Sequence, residues 1–473
     1  MKDILWRSAD KLRGSMDAAQ YKDFVLGLVF LKFASGSGAF DVPEPARWER
    51  LAASGDGRAL DAAAEALMAA NPVLAGALPK IFTTVDGRRL AELVALIDTA
   101  RFDAPRSGTA RSGTARSGTA RSEGPGDVLG EIYEYFLERF ARAEGKRGGE
   151  FYTPSSVVRL LVEILEPYRG RVYDPCCGSG GMFVQAEKFV LSHRGRRDDI
   201  AVFGQEANER TWRLARMNLA VHGITGDLRR ADTFHTDAHP GLRADFVLAN
   251  PPFNMSDWYR REDDPRWRFG VPPAGNANFA WIQHILAKLA PTGSAGVVMA
   301  NGSMSSAQKG EGEIRAALVE ADLVSCMVAL PSQLFRTTQI PACLWFLTRD
   351  KGARAGHVLF VDARGMGALV DRTERVLTPA DVDRIAAAHR AWRAGSPVDE
   401  PGFARSASLR EIREHGHVLA PGRYVGTPAA EAAEPAADRI ERLTKELLAC
   451  LDESARLDAV VRARLDGSRD PDG

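Results

Sequence analysis

The pattern of apolar and polar residues divides the chain into three parts. Up to about residue 100, apolar side chains recur at three-and-four spacing, which predicts packed helices. From about residue 126 to 400, short apolar runs alternate with helical periodicity, which predicts a parallel, doubly wound sheet of the α/β class. After residue 400 the apolar content falls, but a heptad-like seam predicts one last helix, which either docks a partner helix or packs on its own domain. This seam consists of Ile440, Leu443, Leu447, Cys450, Leu457 and Val461.

A short tandem repeat separates the first two parts. The sequence Arg-Ser-Gly-Thr-Ala occurs three times between Arg106 and Ala120. Its residues cannot bury an apolar face, so we predict a flexible linker. The predicted organisation is therefore a helical domain (1–105), a repetitive linker (106–125), an α/β catalytic domain (126–400) and a C-terminal segment with a docking helix (401–473).

One apolar run ends abruptly at a polar turn. Residues 244–249 favour a buried strand, and Pro251 and Pro252 cannot continue its hydrogen-bond ladder, so the strand must end at Asn250. Ligands bind at this carboxyl edge of open α/β sheets. The amide oxygen of Asn250 and the carbonyl oxygen of Pro251 are two acceptors beside the ring of Phe253, which suits a planar base with an amino group. The alternative is an ordinary turn.

A second strand ends in a glycine-rich turn. Asp174 closes the strand, and Gly178, Ser179 and Gly180 precede a helix. Glycines let the backbone approach a ligand closely, and the N–H groups at a helix start favour a negative group. The spacing lacks the third glycine of the dinucleotide fingerprint, which disfavours NAD. A tight strand-to-helix turn without a ligand is the alternative interpretation.

Polar residues also mark neighbouring elements. Glu206 ends a further strand, where a carboxylate can accept both hydroxyls of a ribose. Asp232 follows the next strand and either meets an adenine amino group or caps a turn. Upstream, Thr153 before Pro154 predicts a helix N-cap with proline at the first helical position. We expect this segment to have an additional role at the site, because it lies just before the glycine turn.

A long loop follows the Asn-Pro-Pro-Phe turn. Residues 254–278 combine tryptophan, tyrosine and arginine with glycine and proline. Long loops at a binding edge are commonly functional, and this composition suits the holding of an unstacked base.

Composition narrows the functional classes. Lys+Arg 62 balances Asp+Glu 62, so a nucleic-acid substrate would be held partly by a partner protein. Five cysteines show neither a disulfide framework nor a metal-binding spacing, from which we expect a reducing compartment and no structural zinc. The N-terminus lacks the pattern of a signal peptide, and no apolar run reaches the ~20 residues of a membrane span. We therefore expect a cytoplasmic protein that does not contact a membrane.

With these motifs in this order, the chain resembles the modification subunits of type I restriction-modification systems. These subunits are N6-adenine DNA methyltransferases. The resemblance covers nearly the whole chain, and the joint presence of the motifs is highly specific. It is carried by residues 24–32, 150–154, 174–181, 250–253, 329–331 and 339–341.

The resemblance implies an S-adenosylmethionine-dependent methyltransferase fold with an N-terminal helical domain and a C-terminal helical tail. It implies methyl transfer to the N6 amino group of a flipped adenine. This transfer needs no metal, only an in-line approach of the adenine amine to the methyl group on the sulfonium. The predicted catalytic residues are Asn250, Pro251, Pro252 and Phe253. The predicted residues of the S-adenosylmethionine site are Glu150, Phe151, Tyr152, Thr153, Pro154, Ser155, Asp174, Gly178, Ser179, Gly180, Glu206 and Asp232.

The resemblance also implies partners. These are DNA, a specificity subunit that selects the target sequence, and an ATP-dependent restriction subunit, with two copies of this chain for each specificity subunit. Two alternatives remain open at this point. The same fold can methylate N4 of cytosine or another acceptor such as a glutamine side chain, and a scaffold subunit can bind S-adenosylmethionine without catalysis.

Overall fold

The computed structural model describes two compact units, one up to Val425 and one from Gly426 onwards. The residues described are 18–99, 130, 133–140, 153–308, 310–335, 340–427 and 436–467. The predicted linker repeat lies outside the described residues, as do Glu150, Phe151 and Tyr152.

The first unit combines N-terminal helices with an α/β domain. Besides a helical stretch at 133–140, its helices are α1 (Ala18–Ser37), α2 (Trp48–Ser54), α3 (Gly57–Ala70), α4 (Gly87–Thr99), α5 (Ser155–Leu165), α6 (Gly181–Ser192), α7 (Glu209–His222), α8 (Asn278–Lys288), α9 (Glu311–Glu320), α10 (Pro379–Arg393) and α11 (Leu409–Glu414). The strands are β1 (Gly170–Asp174), β2 (Ile200–Glu206), β3 (Gly226–Arg230), β4 (Ala244–Ala249), β5 (Leu289–Ala300), β6 (Val324–Ala329), β7 (Ala342–Thr348), β8 (His357–Asp362), β9 (Ala368–Leu369), β10 (Arg375–Val376), β11 (Asp399–Glu400) and β12 (Ala404–Ser408).

Ten of these strands form one sheet in the order β11-β12-β8-β6-β7-β5-β4-β1-β2-β3. The half from β3 to β5 is parallel, which confirms the doubly wound α/β prediction. The expectation of a wholly parallel sheet is wrong for β7, which lies antiparallel between β5 and β6, and for β12, which is antiparallel to β8. Every residue of β7 is buried. A fully buried strand reads as the same apolar run in either direction, so the sequence pattern could not reveal its orientation.

The N-terminal helices are packed directly on the α/β domain. Helix α1 is buried on nearly all sides, with Phe24 and Leu28 fully inaccessible. Its apolar side chains belong to the same cluster as Leu214 and Met217 of α7. Helix α7 therefore has one face against the helical region, and its opposite face is left for the edge of the sheet.

The sheet continues past the boundary predicted near residue 400. Strand β12 pairs with β8 in an antiparallel register, and the backbone N–H of Gly402 donates to the carbonyl of Val425 at 2.7 Å. These contacts belong to the first compact unit. The bounds of the four predicted domains stay a prediction.

The second unit contains helix α12 (Ala436–Gly467), which confirms that the predicted seam lies on a helix. Several of its leucines are at least 46% exposed, namely Leu443, Leu447, Leu448, Leu451 and Leu457. Its role in docking a partner stays a prediction. Within the described part of the chain, no helix is both long enough and apolar enough to cross a membrane.

Candidate functional site

The site lies where three neighbouring parallel strands end. β1 ends at Asp174, β2 at Glu206, and β4 at Ala249, immediately before Asn250. Since β2, β1 and β4 are adjacent and run in the same direction, their carboxyl ends meet at one edge of the sheet. The topology thus brings together the polar residues that the sequence places at separate strand ends.

The glycine turn follows β1 and leads into α6. Gly178 and Gly180 have φ angles of 54° and 80°, a left-handed conformation that favours glycine. A Cβ on Gly180 would lie 2.7 Å from Cδ1 of Leu219, so the Leu219 side chain of α7 would have to shift to admit it. A Cβ on Gly178 would meet no described atom within 4 Å. The turn is therefore tight on the α7 side and open at Gly178, where a ligand can approach the backbone.

Asp174 is buried beneath this turn. Its side chain is 2% exposed and accepts a hydrogen bond from the backbone N–H of Cys176 at 2.9 Å. Burial raises the pKa of the Asp174 carboxyl to about 7, and the nearby carboxylate of Glu206 also raises it. A positively charged group in the site would favour ionised Asp174.

Glu206 joins the glycine turn to the start of α7. Its carboxylate accepts the backbone N–H of Gly178 at 3.0 Å and that of Asn208 at 2.8 Å. The structure therefore shows a role in shaping the turn that the sequence did not predict. Contact between Glu206 and a ribose stays a prediction.

Asn218 is a site residue that the sequence analysis missed. It lies on α7, is 1% exposed, and donates from Nδ2 to the carbonyl of Ser179 at 2.9 Å. Its buried Oδ1 has no hydrogen-bond partner among the described residues. The available signal was its position one helical turn after Leu214, where a polar residue interrupts an apolar stripe.

Several of these residues line a cavity of about 680 Å³, including the part that is open to solvent. Predicted site residues in the lining are Thr153, Ser155, Asp174, Gly178, Ser179 and Asn250. Residues in the lining that were not predicted are Glu134, Leu137, Val158, Cys176, Cys177, Gly181, Met182, Gln185 and Asn218. Pro154, Gly180, Glu206, Asp232, Pro251, Pro252 and Phe253 are outside this lining. Gly180 and Glu206 nevertheless support it through the turn.

Thr153 holds the side chain of Asn250 at the carboxyl end of β4. Its Nδ2 donates to Thr153 Oγ1 at 2.8 Å, while its buried Oδ1 has no hydrogen-bond partner in the described part of the chain. The prediction that Thr153 is an N-cap is wrong. Pro154 occupies the cap position without a side-chain bond, because α5 begins one residue later, at Ser155. The Thr153 hydroxyl instead orients the Asn250 amide so that its oxygen is available as an acceptor.

Phe253 lies beyond the two prolines, half-buried against Phe335 with ring centroids 5.9 Å apart in an edge-on arrangement. The next residue, Asn254, has a φ of 52°, and its backbone N–H donates to Asn278 Oδ1 at 3.1 Å. Asn278 in turn donates to the Asn254 side chain at 2.9 Å. The turn that carries Phe253 is thus fixed to the start of α8.

Asp232 is exposed and its carboxylate accepts the backbone N–H groups of Phe234 and His235 at 2.8 and 3.0 Å. The structure therefore shows the turn cap that was one of the two alternatives. Contact between Asp232 and the adenine amino group stays a prediction.

The long loop after Phe253 is anchored by Arg266. Arg266 pairs with Asp264 at 2.6 Å, their side chains being 13% and 10% exposed. It also donates to the carbonyl of Thr233 at 2.8 Å and lies 3.0 Å from His284 Nδ1. Trp267 is buried in a cluster with Phe234 and Trp281, so part of the aromatic content expected to face a base instead forms a core.

The two cysteines of the turn are not activated. Burial raises the pKa of both the Cys176 and the Cys177 thiol well above its ordinary value, and the carboxylate of Asp174 raises it further. Both thiols are therefore protonated at neutral pH, which argues against a cysteine nucleophile.

Comparison with known proteins agrees with this geometry. Residues 125–433 match the model of the N-6 DNA Methylase family, and residues 1–37 match that of the HsdM N-terminal domain. The chain is 45% identical to the type I restriction enzyme HindI methylase subunit of Haemophilus influenzae over 88% of its length and 93% of the relative's. It is 34% identical to the MjaIX methylase subunit of Methanocaldococcus jannaschii, over 98% and 90% of the two chains.

Among solved structures, the type I restriction-modification methyltransferase subunit from Streptococcus thermophilus superposes with a TM-score of 0.75 at 25% identity. The superposition covers 90% of this chain and 98% of that one. The match of the family model to more than half of the chain, together with full-length relatives, settles the family. The chain therefore belongs to the N-6 DNA methylase family, as a methyltransferase subunit of the type I restriction-modification class.

Proposed function

We infer that this adenine-specific DNA methyltransferase binds S-adenosylmethionine in the cavity beneath the glycine turn and presents the target adenine to it at Asn250. The observation that carries this assignment is the buried Oδ1 of Asn250, which has no hydrogen-bond partner among the described residues. Asn250 lines the cavity that lies at the carboxyl end of the neighbouring strand β1. An acceptor in that position suits the exocyclic amine of a base.

The residues of the cavity fit S-adenosylmethionine. Gly178 gives open backbone approach, and Asn218 contributes a buried amide oxygen that lacks a partner among the described residues. Asp174 is poised to ionise beside a ligand that carries positive charge. When bound, S-adenosylmethionine supplies a methyl group activated by its sulfonium. The predicted contacts of Thr153, Pro154, Ser155, Ser179, Gly180, Glu206 and Asp232, and those of residues 150–152, are part of the same proposal.

At the acceptor side, the work of the protein is positioning. Asn250 Oδ1 and the carbonyl oxygen of Pro251 accept the two hydrogens of the adenine N6 amine, which fixes its orientation and increases electron density on its nitrogen. Pro252 holds the turn rigid, and Phe253 provides a ring on which the flipped base stacks. The hydrogen bond from Asn250 to Thr153 keeps the oxygen, rather than the NH2 group, directed at the base.

The chain operates within an assembly that acts on DNA. Its formal net charge of +0 gives no general attraction to phosphates, which supports a partner that supplies much of the DNA grip. We propose that a specificity subunit selects the sequence, that a restriction subunit joins the complex, and that two copies of this chain flank each specificity subunit. The exposed leucines of α12 are a suitable surface for docking within such an assembly.

The test is the identity of the methylated base. The chain is co-expressed with its candidate specificity subunit, and host DNA is hydrolysed and its nucleosides are identified by mass. We expect N6-methyladenine at one recurring sequence, and background levels when Asn250 is replaced by Ala in the same complex. N4-methylcytosine, or equal N6-methyladenine in the Asn250→Ala complex, would contradict the proposal.

A further inference from the structure

A second cavity lies at the opposite edge of the sheet from the methyl-transfer site. It is located where β6 begins and β7 ends, between the carboxyl-terminal ends of α5 and α10. It encloses about 520 Å³, including the part that is open to solvent. None of the residues assigned above to methyl transfer lines it, so its chemistry needs a separate explanation.

One wall of this cavity is flat and mostly aromatic. The ring of His389 lies 6.1 Å from that of Phe346 and 6.0 Å from that of Trp392, measured between centroids. Ile164 and Leu165 at the end of α5 extend the apolar surface. Such a wall suits a flat apolar group of a ligand.

Two lining residues each contain a buried polar atom that has no hydrogen-bond partner among the residues that the structure describes. These atoms are Nδ1 of His389, a residue that is only 7% exposed, and Nε of Arg354. Burial of an unsatisfied donor or acceptor is costly, and such groups are uncommon in folded proteins. The two atoms belong to side chains of different segments, and both of these residues line the same cavity, which points to one shared ligand group.

Most of the surrounding charge is already paired. Lys351 forms an ion pair with Asp322 and also donates to the carbonyl of His357 at 2.9 Å. Arg393 forms an ion pair with Glu166, which also faces Arg390 at 3.9 Å. Of these groups Lys351 and Arg393 line the cavity, and both already have a carboxylate partner.

Arg354 lines the cavity and has no ion-pair partner among the described residues. It stacks over Trp392 at 5.6 Å and donates from Nη2 to the carbonyl of Ser396 at 3.1 Å. The one further carboxylate in the lining, Asp350, accepts the backbone N–H of Gly352 at 2.8 Å. Among the lining residues the cations are Lys351, Arg393 and Arg354, of which the first two have carboxylate partners outside the lining. Burial, and to a lesser degree the arginines at 393 and 390, lower the pKa of His389 to about 4.

We propose that this cavity binds a small organic anion with a flat apolar body. The body lies against Phe346 and Trp392, and the anionic group accepts from Nε of Arg354 and interacts with Nδ1 of His389. This gives both buried polar atoms a hydrogen-bond partner and gives Arg354 an ion-pair partner. The site is separate from the methyl-transfer site, because it lies at the other edge of the sheet.

The test uses benzoate as the probe, with benzamide as its neutral counterpart and inorganic phosphate as an anion without an apolar body. Binding to the full-length chain is measured by calorimetry. We expect one saturable benzoate site and binding of benzamide and phosphate that is weaker by about tenfold or more. Equal binding of benzamide would contradict the anion requirement, and equal binding of phosphate would contradict the apolar one. The absence of saturable benzoate binding would overturn the proposal.

Two variants locate the site. Arg354→Gln is expected to weaken benzoate binding by about tenfold. The matched control is Arg410→Gln, at a side chain that is 85% exposed and lies outside the cavity lining, and it should bind like the original chain. In the unsubstituted protein, the imidazole resonance of His389 should move on benzoate addition and its pKa should rise from about 4. Unchanged binding by Arg354→Gln, or an unmoved His389 resonance, would place benzoate elsewhere.

Discussion

Replacement of Thr153 by Val tests whether the orientation of the Asn250 amide matters for methyl transfer. The substitution conserves side-chain volume but removes the oxygen that accepts from Asn250 Nδ2 at 2.8 Å. One hydrogen bond of this kind contributes about 1–1.5 kcal/mol. Without it the amide can rotate by half a turn and present its NH2 group to the base. We therefore expect the rate of methyl transfer to fall by about tenfold, since about 1.4 kcal/mol corresponds to that factor.

The assay is single-turnover methylation of a target oligonucleotide by the assembled complex at saturating S-adenosylmethionine. Thr153→Ser is the matched control, because it keeps the hydroxyl and should retain most of the rate. The dissociation constant for S-adenosylmethionine is measured in parallel, since Thr153 lines the cofactor cavity. Because the rate is measured at saturating donor, any loss of donor affinity appears in this constant and not in the rate. A Thr153→Val complex as fast as the original would refute the argument.

Three other perturbations follow from the same geometry. The pKa of Asp174 is about 7, and a cationic ligand favours its ionised form, so S-adenosylmethionine affinity should rise by about tenfold per pH unit below pH 7. Calorimetry at several pH values measures this affinity. An affinity that does not change with pH, or the same pH dependence in Asp174→Asn, would exclude the assigned role. Gly180→Ala should lower the melting temperature more than Gly178→Ala. The added Cβ at position 180 would lie 2.7 Å from Leu219 of α7, whereas the one at position 178 would meet no described atom within 4 Å. Equal melting temperatures of the two variants would contradict this reasoning. Arg266→Leu leaves the carboxylate of Asp264 buried without its partner, so the free energy of unfolding should fall by about 3 kcal/mol. Urea titration measures this free energy. A loss below about 1 kcal/mol would show that the ion pair is not needed to anchor the loop.

The sequence could predict the elements that carry local signals. Prolines after Ala249 mark the end of β4, and the glycines after Asp174 mark a strand-to-helix turn, because these residue types restrict or relax the backbone wherever they occur. Parallel strands then bring both ends to the same edge of the sheet. Local residue preferences were therefore sufficient to predict the position of Asn250 at the end of β4.

The remainder depends on contacts between distant segments. Asn218 joins the site through the packing of α7 against the glycine turn, and Thr153 reaches Asn250 across 97 positions of sequence. The antiparallel direction of β7 and the addition of β12 to the sheet likewise depend on tertiary pairing. Local patterns contain no record of such pairings, since propensity and periodicity describe only near neighbours.

The measurement that tests the central claim most directly compares Asn250→Ala with Asn250→Asp in single-turnover methylation at saturating donor and DNA. Asp keeps an acceptor oxygen at the end of β4, whereas Ala removes it. We expect Ala to slow the reaction by about 100-fold or more, Asp to retain a clearly higher rate than Ala, and neither to change donor affinity by more than about threefold. Near-normal methylation by the Ala variant would show that the amide oxygen of Asn250 does not hold the adenine amine.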